Sequence, residues 1–203
     1  MKGKGFELHA TAKRLAGFSL TELVVTLAVA MILMAVGLPV FLRVYRAIEL
    51  NNAASQVADI LRLARYEAIR ENTSVQCVIQ ASGSNPGYTN MWVDSIPNRT
   101  LDPAEKMVLL GPSGNLIDGG SLPGTSSLFT AAVNSVVPSA PSPSSSTVKF
   151  DPRGAVVPLS TVNVFYLSSS VAPDAGYRAV FLMPAGSIQI WTSDTSGNWQ
   201  QQR

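Results

Sequence analysis

The chain is nearly devoid of cysteine and histidine: Cys77 and His9 are the only ones among 203 residues. One cysteine excludes an internal disulfide, a multi-cysteine zinc site and a cysteine-ligated iron–sulfur cluster. Any Ser-His-Asp triad would have to use His9. Charge is also scarce, at 14% of residues, against ~25% in ordinary soluble domains. Residues 1–17 carry Lys2, Lys4, Lys13 and Arg14 against Glu7, while the rest of the chain holds 11 basic and 12 acidic groups. That net −1 lacks the cationic footprint that nucleic-acid binding needs. G-x-S-x-G, Walker A and G-x-G-x-x-G patterns are missing too. No enzyme, cofactor or metal site is expected.

Apolar residues, by contrast, make up 46% of the chain, and mean hydropathy is +0.21. They concentrate near the start. Leu23 to Leu42 is a run of 20 residues without a charge, interrupted only by Thr26, Gly37 and Pro39. As a helix it spans about 30 Å, the thickness of a bilayer's hydrocarbon core. Four basic residues precede it and Arg43 and Arg46 follow, which favours a cytoplasmic N-terminus. The run is too long for a usual secretory signal, and the small-x-small triplet Ala28-Val29-Ala30 is followed by more of the same apolar sequence.

Immediately before the run stands Gly17-Phe18-Ser19-Leu20-Thr21-Glu22. A carboxylate costs about 2.5–3.5 kcal/mol at the centre of a membrane helix and less near its end, so Glu22 calls for a partner. Cleavage after Gly17 would place the new Phe18 amine about one helical turn away, and in a bundle a neighbour's amine could reach the same carboxylate. On a simple anchor, Glu22 would snorkel to the interface instead. The six residues resemble the processing site of type IV prepilins and type II secretion pseudopilins. The resemblance implies cleavage between Gly17 and Phe18 by the prepilin peptidase and N-methylation of Phe18. It also implies pairing of Glu22 with a neighbouring subunit's amine during assembly. Pro39, with Gly37 beside it, stands where many pilins carry a helix-kinking proline. His9 falls in the leader that would be removed.

From Val44 to Glu71 there is no proline or glycine, and Leu50, Ala54, Val57, Leu61, Ala64 and Ala68 form one helical stripe. Arg46/Glu49, Asp59/Arg62 and Glu67/Arg70 are i,i+3 ion pairs, and Asn72-Thr73 is a stop. The pattern predicts a helix of roughly 50 residues, half in the membrane and half under a head. Beyond Thr73, short alternating runs predict strands at Ser74–Gln80, Tyr88–Asp94, Lys106–Leu110 and Thr147–Phe150. Further strands are predicted at Ala155–Val157, Val162–Leu167, Tyr177–Met183 and Ser187–Thr192. Residues 111–146, with the Pro/Ser-rich stretch Pro138–Ser146, read as a flexible loop. The fold class is therefore α+β: a long N-terminal helix packed on a strand-rich head. Its expected divisions are a leader at 1–17, a transmembrane half at 18–44, an amphipathic half at 45–72 and a head at 73–203.

Leu61-Arg62-Leu63-Ala64-Arg65-Tyr66-Glu67-Ala68-Ile69-Arg70 resembles the L-x-x-AR-x-EAI-x-R stretch of the GspH/FimT pseudopilins. Phe150-Asp151-Pro152-Arg153-Gly154 resembles their F-x-P-x-G turn. Resemblance covers residues 17–80 well and 147–192 more loosely. It implies a pilin-like structural subunit of a type IV pilus or a type II secretion pseudopilus. The implied location is a single span in the bacterial inner membrane with a periplasmic head, then the filament. The implied partners are the prepilin peptidase, other pilin or pseudopilin subunits and the inner-membrane assembly platform. The alternative is a FimT-like subunit that captures DNA. Against it, residues 72–203 hold six basic and seven acidic groups, and the tail Gly197–Arg203 has one cation. Trp191 and Trp199 could stack bases, but without clustered cations they are expected to pack on the sheet. Cys77, in an apolar strand, is expected to be a small packed hydrophobe.

Overall fold

The computed structural model describes residues 18–117, 137–139 and 146–202. The expected leader, with His9 and Gly17, and most of the expected loop at 111–146 lie outside them. The molecule divides into two compact units between Val40 and Phe41, and one helix, α1 (Leu20–Glu71), contributes to both.

In the first unit α1 is apolar around its whole circumference and its large side chains are exposed. In the second unit it becomes one-sided. Leu50, Ala54, Val57, Leu61, Ala64 and Ala68, the stripe seen in the sequence, are each fully buried. The outward face carries the exposed ion pair Arg62–Asp59 at 2.7 Å, while Arg70–Glu67 at 2.6 Å and the half-buried Arg46–Glu49 at 2.9 Å border the head, where Glu49 also accepts the Ser113 hydroxyl. The helix stops where Asn72 turns left-handed at φ 50°. The Asn72 N–H then donates to Ile69 O at 3.3 Å and the Thr73 N–H to Ala68 O at 3.2 Å. That pair of bonds is a Schellman ending, with asparagine in the place usually held by glycine.

Two sheets complete the second unit. The first has the order β3-β2-β1-β6-β7, all antiparallel. Its strands are β1 (Val75–Ala81), β2 (Thr89–Asp94), β3 (Met107–Leu110), β6 (Ser146–Phe150) and β7 (Val156–Val157). The second has the order β11-β10-β9-β8-β4. Its strands are β4 (Asn115–Ile117), β8 (Thr161–Ser168), β9 (Tyr177–Leu182), β10 (Ile188–Ser193) and β11 (Trp199–Gln201). A further strand, β5 (Val137–Ser139), pairs with β8 in parallel. All eight expected strands are present. The expected loop is not uniformly loop: β4 and β5 fall within it, because backbone pairing to β8 recruits three-residue segments too short to show alternation.

One core joins the helix to both sheets, and the small alanines of α1 let the strands approach closely. Val57, Leu61 and Ala64 share it with Cys77, Ile79, Val93 and Phe150, and with Phe165, Val180 and Leu182 of the second sheet. Period-2 alternation places Val164, Tyr166, Ala179 and Phe181 on that sheet's other face, in a second cluster with Trp191 and Trp199.

Candidate functional site

Three places in the fold gather the residues that the sequence singles out, together with one that it does not. The first is the start of α1. Ser19 is the N-cap: its Oγ accepts the Glu22 N–H at 3.2 Å, and its carbonyl accepts the Leu23 N–H at 3.1 Å. Glu22 therefore stands at the third helical position, where its backbone N–H is capped by Ser19 and its charge lies at the positive end of the helix dipole. Its carboxylate has no hydrogen-bond or ion-pair partner among the described residues. Phe18 is 78% exposed. Gly37 has open space where a side chain would stand, and α1 continues through Pro39, whose missing N–H leaves the Ala35 carbonyl without its usual donor.

The second place is where the two head motifs meet. Asp151 Oδ1 accepts the Arg153 N–H at 2.9 Å and the Ala155 N–H at 2.8 Å, closing the turn between β6 and β7. Gly154 has φ 77° and lies against Ile69 and Arg65 of α1. Gly186, at φ 80° in the turn between β9 and β10, faces the Gly154 carbonyl and Arg65. Arg65 Nη1 donates to Gly186 O at 3.1 Å. The helix motif and the turn motif thus form one junction, in which an arginine pins two glycine turns. It is architectural: Nη1 bonds one backbone carbonyl, and Nε is buried against the glycine turns with no hydrogen-bond partner among the described residues.

The remaining candidates resolve into packing and turn chemistry. Cys77 is fully buried, and burial pushes its thiol pKa far up. Trp191 packs on Phe181 at 6.0 Å and Trp199 on Tyr166 at 6.2 Å, so both half-buried rings pack on the sheet. Asp94 Oδ2 accepts the Arg99 N–H at 2.9 Å. Asp174 pairs with Arg43 at 3.2 Å. No group of three His, Cys, Asp or Glu among the described residues is arranged to hold a metal.

The third place centres on Arg178, which sequence reasoning missed. It is 6% exposed, and its Nε donates to Asn51 Oδ1 on α1 at 2.5 Å. Its Nη1 donates to Tyr177 O at 2.8 Å and to Ala175 O at 3.4 Å. Burial lowers its pKa from the usual guanidinium value. The signal was available: Arg178 is the one charge in the strand Tyr-Arg-Ala-Val-Phe-Leu.

A single long helix, half exposed and apolar, half built into a head of antiparallel sheets, defines a pilin-like protein. Residues 53–186 match the family model described as type II transport protein GspH, and the chain belongs to this family of pilin-like structural subunits. Two crystal structures of the type IV minor pilin FimU of Pseudomonas aeruginosa (strain PAO1) are similar to it. They have TM-scores of 0.46 and 0.42 and identities of 17% and 18%. Each covers 76% of this chain, with 98% and 93% of the FimU chains included. No curated protein matches the chain.

Proposed function

We propose that the chain is a minor pilin or pseudopilin, a filament subunit of a type IV pilus or a type II secretion pseudopilus, and that it works by assembly rather than catalysis. The prepilin peptidase removes residues 1–17, cutting between Gly17 and Phe18, and Phe18 is then N-methylated. Residues 18–44 hold the subunit in the inner membrane with the head in the periplasm, and residues 45–72 carry the head. The assembly platform lifts the subunit into the filament, where the membrane half packs against neighbouring helices and Glu22 meets a neighbour's Phe18 amine. Gly37 and Pro39 give the helix a local weakness that lets it adjust to that packing.

One observation carries this reading. The large apolar side chains from Leu23 to Leu42 are 46–70% exposed, on a helix whose continuation is fully built into a core. So much uncovered apolar surface needs a bilayer or a bundle of like helices. Glu22 at its lip, without a partner among the described residues, fits the second environment as well as the first. Shearing filaments from cells and comparing them with the membrane pool is the test. The expected result is the chain in both fractions, as a small share of filament protein. A chain confined to the membrane while other subunits assemble would contradict the reading.

A further inference from the structure

We propose that Arg178 anchors an acceptor site for an aspartate or glutamate side chain of a neighbouring filament subunit; the proposal rests on the subunit reading above. Each hydrogen bond Arg178 makes goes to a neutral oxygen: Asn51 Oδ1, Tyr177 O and Ala175 O. Its Nη2 has no partner among the described residues, and no carboxylate pairs with the guanidinium there. A buried cation without a counter-charge is costly, and this one borders open space. A cavity of about 280 Å³ is lined by Arg178, Thr192, Asp194, Asn198 and Gln200. Strand register sets its floor, since Arg178 on β9 lies opposite Thr192 on β10, which lies opposite Gln200 on β11.

The nearby carboxylates are committed elsewhere. Asp194 accepts the Ser196 N–H at 2.9 Å, the Asn198 N–H at 3.0 Å and Asn198 Nδ2 at 2.7 Å. Those bonds, the Asn198 side chain first, hold its pKa down. Asp174 is paired with Arg43. With Nε and Nη1 already donating, the free Nη2 of Arg178 suits one oxygen of an incoming carboxylate. A nucleic-acid backbone fits poorly, because the cavity lining adds no second cation and includes Asp194.

Gln200 is exposed, so Gln200→Glu places a carboxylate at the cavity from within the chain while leaving Arg178 and the core untouched. The full chain in detergent should melt about 2–4 °C higher. Its entry into sheared filaments should fall about tenfold, since the acceptor is already filled. In the same micelles, acetate titrated into wild-type protein should shift the Arg178 Nε–H resonance saturably, and Gln200→Glu should abolish that shift. Wild-type chain that never leaves the membrane overturns the subunit reading itself. Wild-type chain in filaments, with Gln200→Glu beside it at the same ratio, overturns the acceptor site alone. A resonance that ignores acetate, or that moves with a single-stranded oligonucleotide and not with acetate, also overturns it.

Discussion

Glu22→Ala subunits should enter sheared filaments at about one hundredth of the wild-type ratio or less, while accumulating normally in the membrane. In the bilayer the loss of a carboxylate removes a cost, and the proposed cleavage after Gly17 should be unaffected. In the filament a neighbour's Phe18 amine would be left as a charge without a partner among apolar helices, a penalty of about 3–5 kcal/mol, and each 1.4 kcal/mol is a factor of ten. The helix start allows a control. Ser19 caps the helix through the Glu22 backbone N–H, which glutamine at position 22 keeps. Glu22→Gln should therefore keep the helix start and still fail to assemble, whereas Glu22→Asp, charged but shorter, should be partly tolerated. Normal assembly of Glu22→Gln would contradict charge pairing at this residue.

Gly186→Ala should destabilise the head by about 2–5 kcal/mol. Holding alanine near φ 80° costs ~1–2 kcal/mol. Its Cβ would also drive into the Gly154 carbonyl, which is backbone and cannot swing aside, adding ~1–3 kcal/mol of overpacking. Thermal unfolding of the full chain in detergent reads this as a drop of several degrees. Gly37→Ala is the counterpart: nothing lies within 4 Å of the added methyl group, and alanine is the better helix former, so its melting temperature should hold or rise slightly. Equal melting temperatures for wild type and Gly186→Ala would show that the Arg65 junction does not hold the two turns.

Much of this was legible from spacing alone. The 4-3-4 stripe of α1 and the alternation Ser187-Ile188-Gln189-Ile190-Trp191 are one-dimensional records of which face is covered. Asn72 announced the helix end because asparagine tolerates the left-handed turn that stops it. Strands β4, β5 and β11 were not legible, since three residues carry no period and their pairing is decided by the strand they join. The meeting of Arg65 with Gly154 and Gly186 was equally hidden, because the partners are far apart in the chain. Glu22 was read for its charge, and the cap that Ser19 places on its backbone N–H became visible only in the structure. Arg178 is the one charge in its strand, a signal of a buried cation, but the sequence says nothing of whether a carboxylate waits across from it. The Pro/Ser-rich stretch read as loop for want of apolar pattern, yet its first residues, Pro138 and Ser139, belong to β5 and pair in parallel with β8.

The central claim is that the residues before Phe18 are removed so that a free amine can meet Glu22 in an assembled bundle. Mass spectrometry of the mature chain purified from filaments tests it most directly. The account predicts a chain that begins at Phe18 and carries a methyl group on its terminal nitrogen. A chain that begins at Met1, or one cut after Ala30 in the middle of the apolar run, would contradict it.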